Sequence, residues 1–268
     1  MGELVFLKLG GSLITDKRRF ETPRPTIITR MAQEIAAALQ GRPDLQLVLG
    51  HGSGSFGHFA ADKYKVHEGR LQDWRGYAET SAAAARLNRL VTDTMLSEGV
   101  NVVSLQPSAS ARCNEGELVE MAVEPVADLI RHGMVPLVYG DVALDTVKGS
   151  TIISTEQIFT YLAQFLRPQR IILVGEVAGV YSGDPQRDSI VRLIPEINSQ
   201  NYGEIIHMLS TSFGVDVTGG MLGKIKTLFE LVQDQPNLSV RLVTGRRQHL
   251  VQQVLMDPGL REGTLLHY

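Results

Sequence analysis

The sequence predicts an α/β fold of three layers, αβα, with helices covering both faces of a mostly parallel central sheet. Three observations predict it. Short apolar runs alternate with longer stretches of helical period along the chain. Several of those runs are apolar on both faces, as strands of a covered parallel sheet are. Glycine-containing turns follow the strands or open the helices, at the end of such a sheet where ligands bind.

Leu4-Val5-Phe6-Leu7-Lys8-Leu9 reads as the first strand and ends at Gly10-Gly11-Ser12. Thr26 to Leu39 places Ile27, Ile28, Met31, Ile35, Ala38 and Leu39 at helical spacing, and Gly41 and Pro43 stop it. Leu45 to Leu49 is a second strand running into Gly50-His51-Gly52. Trp74 to Leu96 is a long helix whose alanines, Ala82 to Ala85, permit close approach of a neighbour. Val100 to Leu105 follows as a strand, Glu117 to Val123 alternates like an edge strand or hairpin arm, and Glu124 to His132 is a short helix closed by Gly133. Val135 to Tyr139 is another apolar strand. Further on come the helix Glu156 to Leu166, the strand Arg170 to Val174, the helices Tyr202 to Leu209 and Gly220 to Val232, and the strand Ser239 to Val243. A helix from Arg247 to Leu255 and a terminal strand from Gly263 to Leu266 complete the series. No Gly, Ser or Pro-rich linker divides the chain, so one continuous domain is expected, with a soft boundary between lobes 1–174 and 175–268.

Composition narrows the function. The chain has 268 residues, 43% of them hydrophobic and 21% charged, with no repeat or low-complexity tract. A formal net charge of -3 and a pI near 6.2 argue against nucleic acid as the main ligand. The single Cys113 makes neither an intrachain disulfide nor a cysteine-based metal site. No apolar run is long enough to span a membrane and the N-terminus has no signal-like pattern, so a soluble cytoplasmic protein is expected.

Four glycine turns carry the chemistry: Gly10-Gly11-Ser12, the segment His51 to His58, Gly140-Asp141, and Gly219-Gly220-Met221-Leu222-Gly223-Lys224. Glycine lets backbone N–H groups approach an oxyanion, and a helix N-terminus adds positive potential, so several such turns point to several phosphates. Neither Gly-x-Gly-x-x-Gly followed by a ribose-binding acid nor the classical P-loop pattern Gly-x4-Gly-Lys-Ser/Thr is present. The chain uses 7 Lys against 19 Arg, yet Lys8, Lys17 and Lys224 each accompany a glycine turn. A compact ammonium suits a transferring phosphoryl group. Lys8 is the most informative, because Leu7 and Leu9 imply a costly burial; Lys17, beside Arg18 and Arg19, also fits a solvated loop charge. Lys224 and Lys226 open a helix, where a cation opposes the dipole unless an anion is bound. His58 suits a substrate phosphate, whereas His51, beside a strand end, suits a structural role; neither has metal-ligand spacing, and no protein metal site is expected.

Together these residues resemble the amino acid kinase superfamily and, within it, the isopentenyl phosphate kinases. The resemblance is carried by Lys8-Leu9-Gly10-Gly11-Ser12 with Thr15-Asp16-Lys17, by His51-Gly52-Ser53-Gly54-Ser55-Phe56-Gly57-His58, by Ser104 to Ser108, by Gly140-Asp141-Val142 and by Asp216 to Met221, and it runs through essentially the whole chain. It implies a homodimer that uses ATP and Mg2+ to phosphorylate isopentenyl phosphate, with acceptor on the N-terminal lobe and nucleotide on the C-terminal one. Lys8, Lys17 and Lys224 would stabilise the transferring group. Gly52, Ser53, Gly54, Gly57, His58 and Ser154 would hold the acceptor. Gly10, Gly11, Ser12, Gly179, Tyr181, Asp184, Gly220 and Lys224 would face ATP. The sequence departs from the family twice. Ile153-Ser154-Thr155-Glu156 stands where Ile-Ser-Gly-Asp is usual, so Glu156 would orient the lysines in place of Asp, and Gly175 to Tyr181 stands where Thr-Asp-Val-Asp-Gly-Val-Tyr is usual. The apolar tail needs an apolar wall, for which the Trp74 to Leu96 helix is the candidate, although plain core packing explains that helix equally well. Two other readings remain open: a kinase of another small phosphate or a phosphonate, and a non-catalytic nucleotide or oxyanion binder on the same fold.

Overall fold

A computed structural model of the protein describes residues 2–64, 73–183, 191–212 and 220–268. Strand β1 (Leu4–Leu9) leads through the short helix α1 (Gly11–Ile14) to α2 (Pro25–Gly41) and β2 (Gln46–His51). Helices α3 (Gly54–Tyr64) and α4 (Trp74–Ser97) precede β3 (Val102–Ser104), β4 (Arg112–Asn114), β5 (Glu117–Glu120), α5 (Glu124–Arg131) and β6 (Val135–Tyr139). A hairpin of β7 (Asp141–Asp145) and β8 (Gly149–Ile153) leads to α6 (Thr155–Leu166) and β9 (Arg170–Gly175). The chain continues with β10 (Val180–Tyr181), β11 (Leu193–Ile194), β12 (Glu196–Ile197), α7 (Tyr202–Ser212), α8 (Gly220–Asp234), β13 (Ser239–Thr244), α9 (Leu250–Met256) and β14 (Thr264–Leu266).

Among the described residues the central sheet has eight strands in the order β12-β14-β13-β9-β1-β2-β6-β3. Its pairs are parallel except β13 with β14. Strand periodicity sends alternate residues of β1 to opposite layers. Val5, Leu7 and Leu9 pack with α2, α4 and α9, while Leu4 and Phe6 pack with α5, α6 and α8. Phe6 lies 5.1 Å from the ring of Phe159 on α6. Lys8 follows in the same alternation, so its side chain leaves the sheet on the α6 and α8 side. This is the three-layer fold the sequence predicts, and the sheet runs without a break across the soft boundary at residue 175.

Three local features differ from the sequence reading. The glycine-rich segment winds into α3 from Gly54, with Phe56 and Ala60 buried at helical spacing among the small residues. Residues 141–153, where the sequence reading gave only the Gly140-Asp141 turn, form the β7–β8 hairpin, part of a sheet of order β5-β4-β7-β8. The helix expected from Arg247 starts at Leu250, because His249 takes φ +63 and the buried Glu34 carboxylate accepts the N–H groups of His249 and Val251, both at 2.9 Å.

Candidate active site

The carboxyl ends of β1, β2 and β9 open onto a cleft of about 500 Å3. It is lined by Lys8, Gly10, Gly11, Ser12, Lys17, Gly52, Ser53, Gly54, Gly140, Ser154, Glu156, Gly175, Glu176, Gly179 and Lys224, with apolar walls from Ile152, Ile153, Leu173, Val174, Val177, Met221, Leu242 and Val243. Of the sequence-predicted site residues, twelve meet here.

Two glycine turns form one edge. The turn after β1 and the turn after β2 are pressed together so closely that a Cβ on Gly11 would lie 2.5 Å from the Gly54 nitrogen, and one on Gly52 would lie 2.9 Å from the Gly11 nitrogen. Gly54 also takes φ +52, where other residues are strained. Glycine is required here by the mutual approach of the turns themselves. Thr15 Oγ1 locks them, donating to the Gly11 carbonyl at 2.7 Å and accepting from Ser55 N–H at 2.9 Å.

The floor is a shared ion pair. Lys8 is 9% exposed and its Nζ donates to Glu156 Oε2; Lys224 Nζ lies 2.9 Å from Glu156 Oε1. Glu156 is placed by the first turn of α6, where Ser154 and Gln157 form a reciprocal cap: Ser154 Oγ accepts from Gln157 N–H at 3.1 Å and Ser154 N–H donates to Gln157 Oε1 at 2.8 Å. Thr155 Oγ1 ties this turn to the His51 carbonyl at 2.7 Å. Burial alone would raise the Glu156 carboxyl, but Lys8 and Lys224 outweigh it and hold the group far below the ordinary glutamate range. Burial lowers the Lys8 ammonium from the usual lysine range, with Glu156 opposing that shift and Lys224 and Lys17 adding to it. One carboxylate thus serves two ammonium groups, and a third, on the exposed Lys17, reaches the same cleft. The surplus positive charge suits a polyanion. The anion that Lys224 requires at its helix start is, in the free protein, the Glu156 carboxylate.

The histidines separate as the sequence suggests for one of them. His51 is fully buried, its Nε2 3.1 Å from Asn88 Oδ1 and its Nδ1 3.1 Å from the Gly52 carbonyl, with its ring stacked on Tyr139 at 5.5 Å. It is a structural residue. His58 lies within α3, and its side chain is outside the described residues.

Of the other five predicted residues, three fall elsewhere among the described residues. Gly57 packs on Ser53, where a Cβ would come within 2.3 Å of the hydroxyl. Tyr181 pairs with Leu193 in the β10–β11 hairpin, and Gly220 opens α8 at φ +32. Asp184 lies outside the described residues, as does the side chain of His58. Asp141, beside the lining Gly140, turns its carboxylate to the N–H groups of Ser108 at 3.2 Å and Val142 at 2.9 Å. From α4, Ala83, Leu87, Val91 and Met95 belong to the core, and among the described residues that helix contributes none to the cleft lining. The sequence reading missed Glu176, which lines the cleft and binds Arg24 and Arg246. The signal that could have found it is its place in the Gly175 to Tyr181 segment, at an acidic position of the family's usual pattern.

Comparison with known proteins places this geometry. The model of the Amino acid kinase family matches residues 3–243. The isopentenyl phosphate kinase of Methanothermobacter thermautotrophicus is 35% identical over 238 residues, 86% of this chain and 87% of that protein. That of Methanocaldococcus jannaschii is 33% identical over 83% of this chain and 85% of its own. Among solved structures, an isopentenyl phosphate kinase superposes with a TM-score of 0.84 at 30% identity, over 98% of this chain and 99% of the other. An isopentenyl phosphate kinase substrate complex superposes with a TM-score of 0.77 at 25% identity, over 99% of this chain and all of the other. A chain with two lysines on one buried carboxylate beneath paired glycine turns therefore belongs to the amino acid kinase family and, within it, to the isopentenyl phosphate kinases.

Proposed function

We propose that this protein transfers the γ-phosphoryl group of ATP to isopentenyl phosphate, giving isopentenyl diphosphate and ADP. The observation that carries the reading is the Lys8–Glu156–Lys224 group on the cleft floor, with Lys17 at its edge. In the transfer, an oxygen of the acceptor phosphate forms a bond to the γ-phosphorus while the bond from that phosphorus to the β–γ bridging oxygen breaks. The acceptor oxygen is already anionic, so no strong base is required. The difficulty is bringing two anions into line, which fixed positive charge resolves.

Lys8, Lys17 and Lys224 stabilise the transferring group, and Glu156 fixes the first and last of them. Gly10, Gly11 and Ser12 face the nucleotide phosphates, with Gly179, Tyr181, Asp184 and Gly220 on the nucleotide side in residues 175–268. Gly52, Ser53, Gly54, His58 and Ser154 hold the acceptor phosphate within residues 1–174, and Gly57 lets α3 pack closely behind Ser53. Among the described residues no cluster of three His, Cys, Asp or Glu could hold a metal ion, and Glu156 is engaged by lysines. The donor set therefore suits Mg2+ that arrives on nucleotide phosphate oxygens, whose charge it neutralises. A homodimer in the cytoplasm completes the proposal. No described helix is long and apolar enough to cross a membrane.

The test is an acceptor panel: isopentenyl, dimethylallyl and short alkyl phosphates against a small phosphonate, each compared by kcat/KM. Isopentenyl phosphate is expected to be the best acceptor, and a phosphonate that exceeds it would overturn the substrate assignment. Replacing the two histidines separates their roles. His58→Ala is expected to cut turnover by about 100-fold with the fold intact, whereas His51→Ala is expected to lower the melting temperature because it empties a packed, hydrogen-bonded site. Equal turnover losses at equal stability would contradict this assignment.

A further inference from the structure

A second charged group stands at the cleft rim, apart from the lysines. Arg24 Nη1 donates to the Ser12 carbonyl at 3.0 Å and to Glu176 Oε1 at 2.6 Å. Ser12 belongs to α1, on the wall made by the first glycine turn, while Glu176 starts the loop after β9 that makes another wall. One guanidinium therefore bridges two walls that are remote in sequence.

Both ends of this bridge are anchored. The Arg24 N–H donates to the Ile14 carbonyl at 2.8 Å, and its own carbonyl accepts from Ile27 N–H at 3.0 Å and Ile28 N–H at 3.1 Å, at the head of α2. Glu176 accepts a second guanidinium, Arg246 Nη2, at 3.1 Å, and its backbone carbonyl accepts from Thr244 Oγ1, also at 3.1 Å. The loop base is held by Gly245 N–H donating to the Gly175 carbonyl at 2.8 Å. The Arg24 and Glu176 side chains are 33% and 29% exposed, partly withdrawn from water, which strengthens a charge-assisted hydrogen bond.

We infer that Arg24 and Glu176 act as a positioning clamp that sets the spacing between the Gly10–Ser12 turn and the Gly175–Gly179 loop, and thereby the affinity for the nucleotide rather than for the acceptor. The inference rests on the proposed placement of ATP between these two walls. Among the described residues, the clamp's side-chain hydrogen bonds join residues 12, 24, 176 and 246, and none reaches the acceptor-side segment 52–57. With the clamp broken, the loop must be ordered when nucleotide binds, and that ordering is taken from the binding free energy.

The experiment measures the dissociation constant of a non-hydrolysable ATP analogue by calorimetry, without acceptor, for the wild type, Arg24→Ala, Glu176→Ala and the double variant. Each single variant is expected to bind about tenfold more weakly, the double variant no more weakly than either, and the KM for isopentenyl phosphate to stay within about twofold. Should Arg24→Ala fail to fold by thermal melting, Arg24→Lys and Glu176→Gln carry the same comparison, with losses of about threefold expected because each keeps part of the bridge. Wild-type binding with unchanged variants, fully additive losses, or an equal rise in acceptor KM would overturn the clamp alone. A wild type that binds no analogue would overturn the ATP reading and the clamp with it.

Discussion

Glu156 decides whether Lys8 can be buried at all. An ammonium 9% exposed on a core strand pays a desolvation cost that only a close counter-charge offsets, and the same carboxylate holds Lys224. Glu156→Gln is therefore expected to cost about 3 kcal/mol in denaturant unfolding and to reduce kcat by about 100-fold or more. Glu156→Asp, which keeps the charge and restores the family's usual residue, should lose less of both; equal losses would show that the charge is not what matters. The pH dependence follows from the depressed Glu156 pKa. Its stabilisation is fully present above the unfolded value of about 4.3 and is lost as pH falls toward the folded value. The profile of kcat from about pH 5 to 8 should therefore show no limb that Glu156→Asp shifts. At this scale the sequence was informative where a residue conflicts with its neighbours: Lys8 among leucines and Lys224 at a helix start both pointed to a bound anion, and the fold sets the Glu156 carboxylate against them. It gave no sign that Arg24 and Glu176 pair, because the two meet only through the fold.

Lys17 owes its position to a short loop rather than to burial. Thr15 and Pro23 bridge the base of that loop, Thr22 N–H donates to Ser55 Oγ at 3.1 Å, and Glu21, at φ +41, receives the Arg86 guanidinium from α4, with Arg86 Nε at 3.0 Å. Arg86 is half exposed, so Arg86→Ala should change stability by less than about 1 kcal/mol. Its expected effect is a fall in kcat of about threefold or more, as Lys17 loses its alignment. Unchanged kcat would mean that the loop needs no such tie. Elements were legible in the sequence wherever one periodicity dominated: Leu4–Leu9 and Val135–Tyr139 are continuous apolar runs, and α2 and α4 repeat every three to four residues. They were obscure where function had filled them with small or polar residues. Helix α3 is hidden in a glycine motif, and β7, with Asp141 and Asp145 at its ends, has only three residues between them.

At the scale of the whole molecule, one mostly parallel sheet delivers every one of these groups to the same end. β1 brings Lys8 and the first glycine turn, β2 the second, β9 the loop with Glu176, and α6 and α8 lay Glu156 and Lys224 over the face to which Lys8 points. Alternation of strands and helices made that arrangement legible, since crossover connections in a parallel sheet leave all carboxyl ends together. Which side chains touch there depended on register across the sheet and on the angle of two helices, and neither is written in a local pattern. Such an assembly is built to join a phosphoryl group to isopentenyl phosphate. Phosphorus NMR of the purified protein with ATP, Mg2+ and isopentenyl phosphate tests it most directly. Resonances of isopentenyl diphosphate and ADP are expected to grow in equal amounts while the monophosphate signal declines. ATP hydrolysed to free phosphate with the monophosphate signal unchanged, or no reaction over a range of Mg2+ and substrate concentrations, would contradict it.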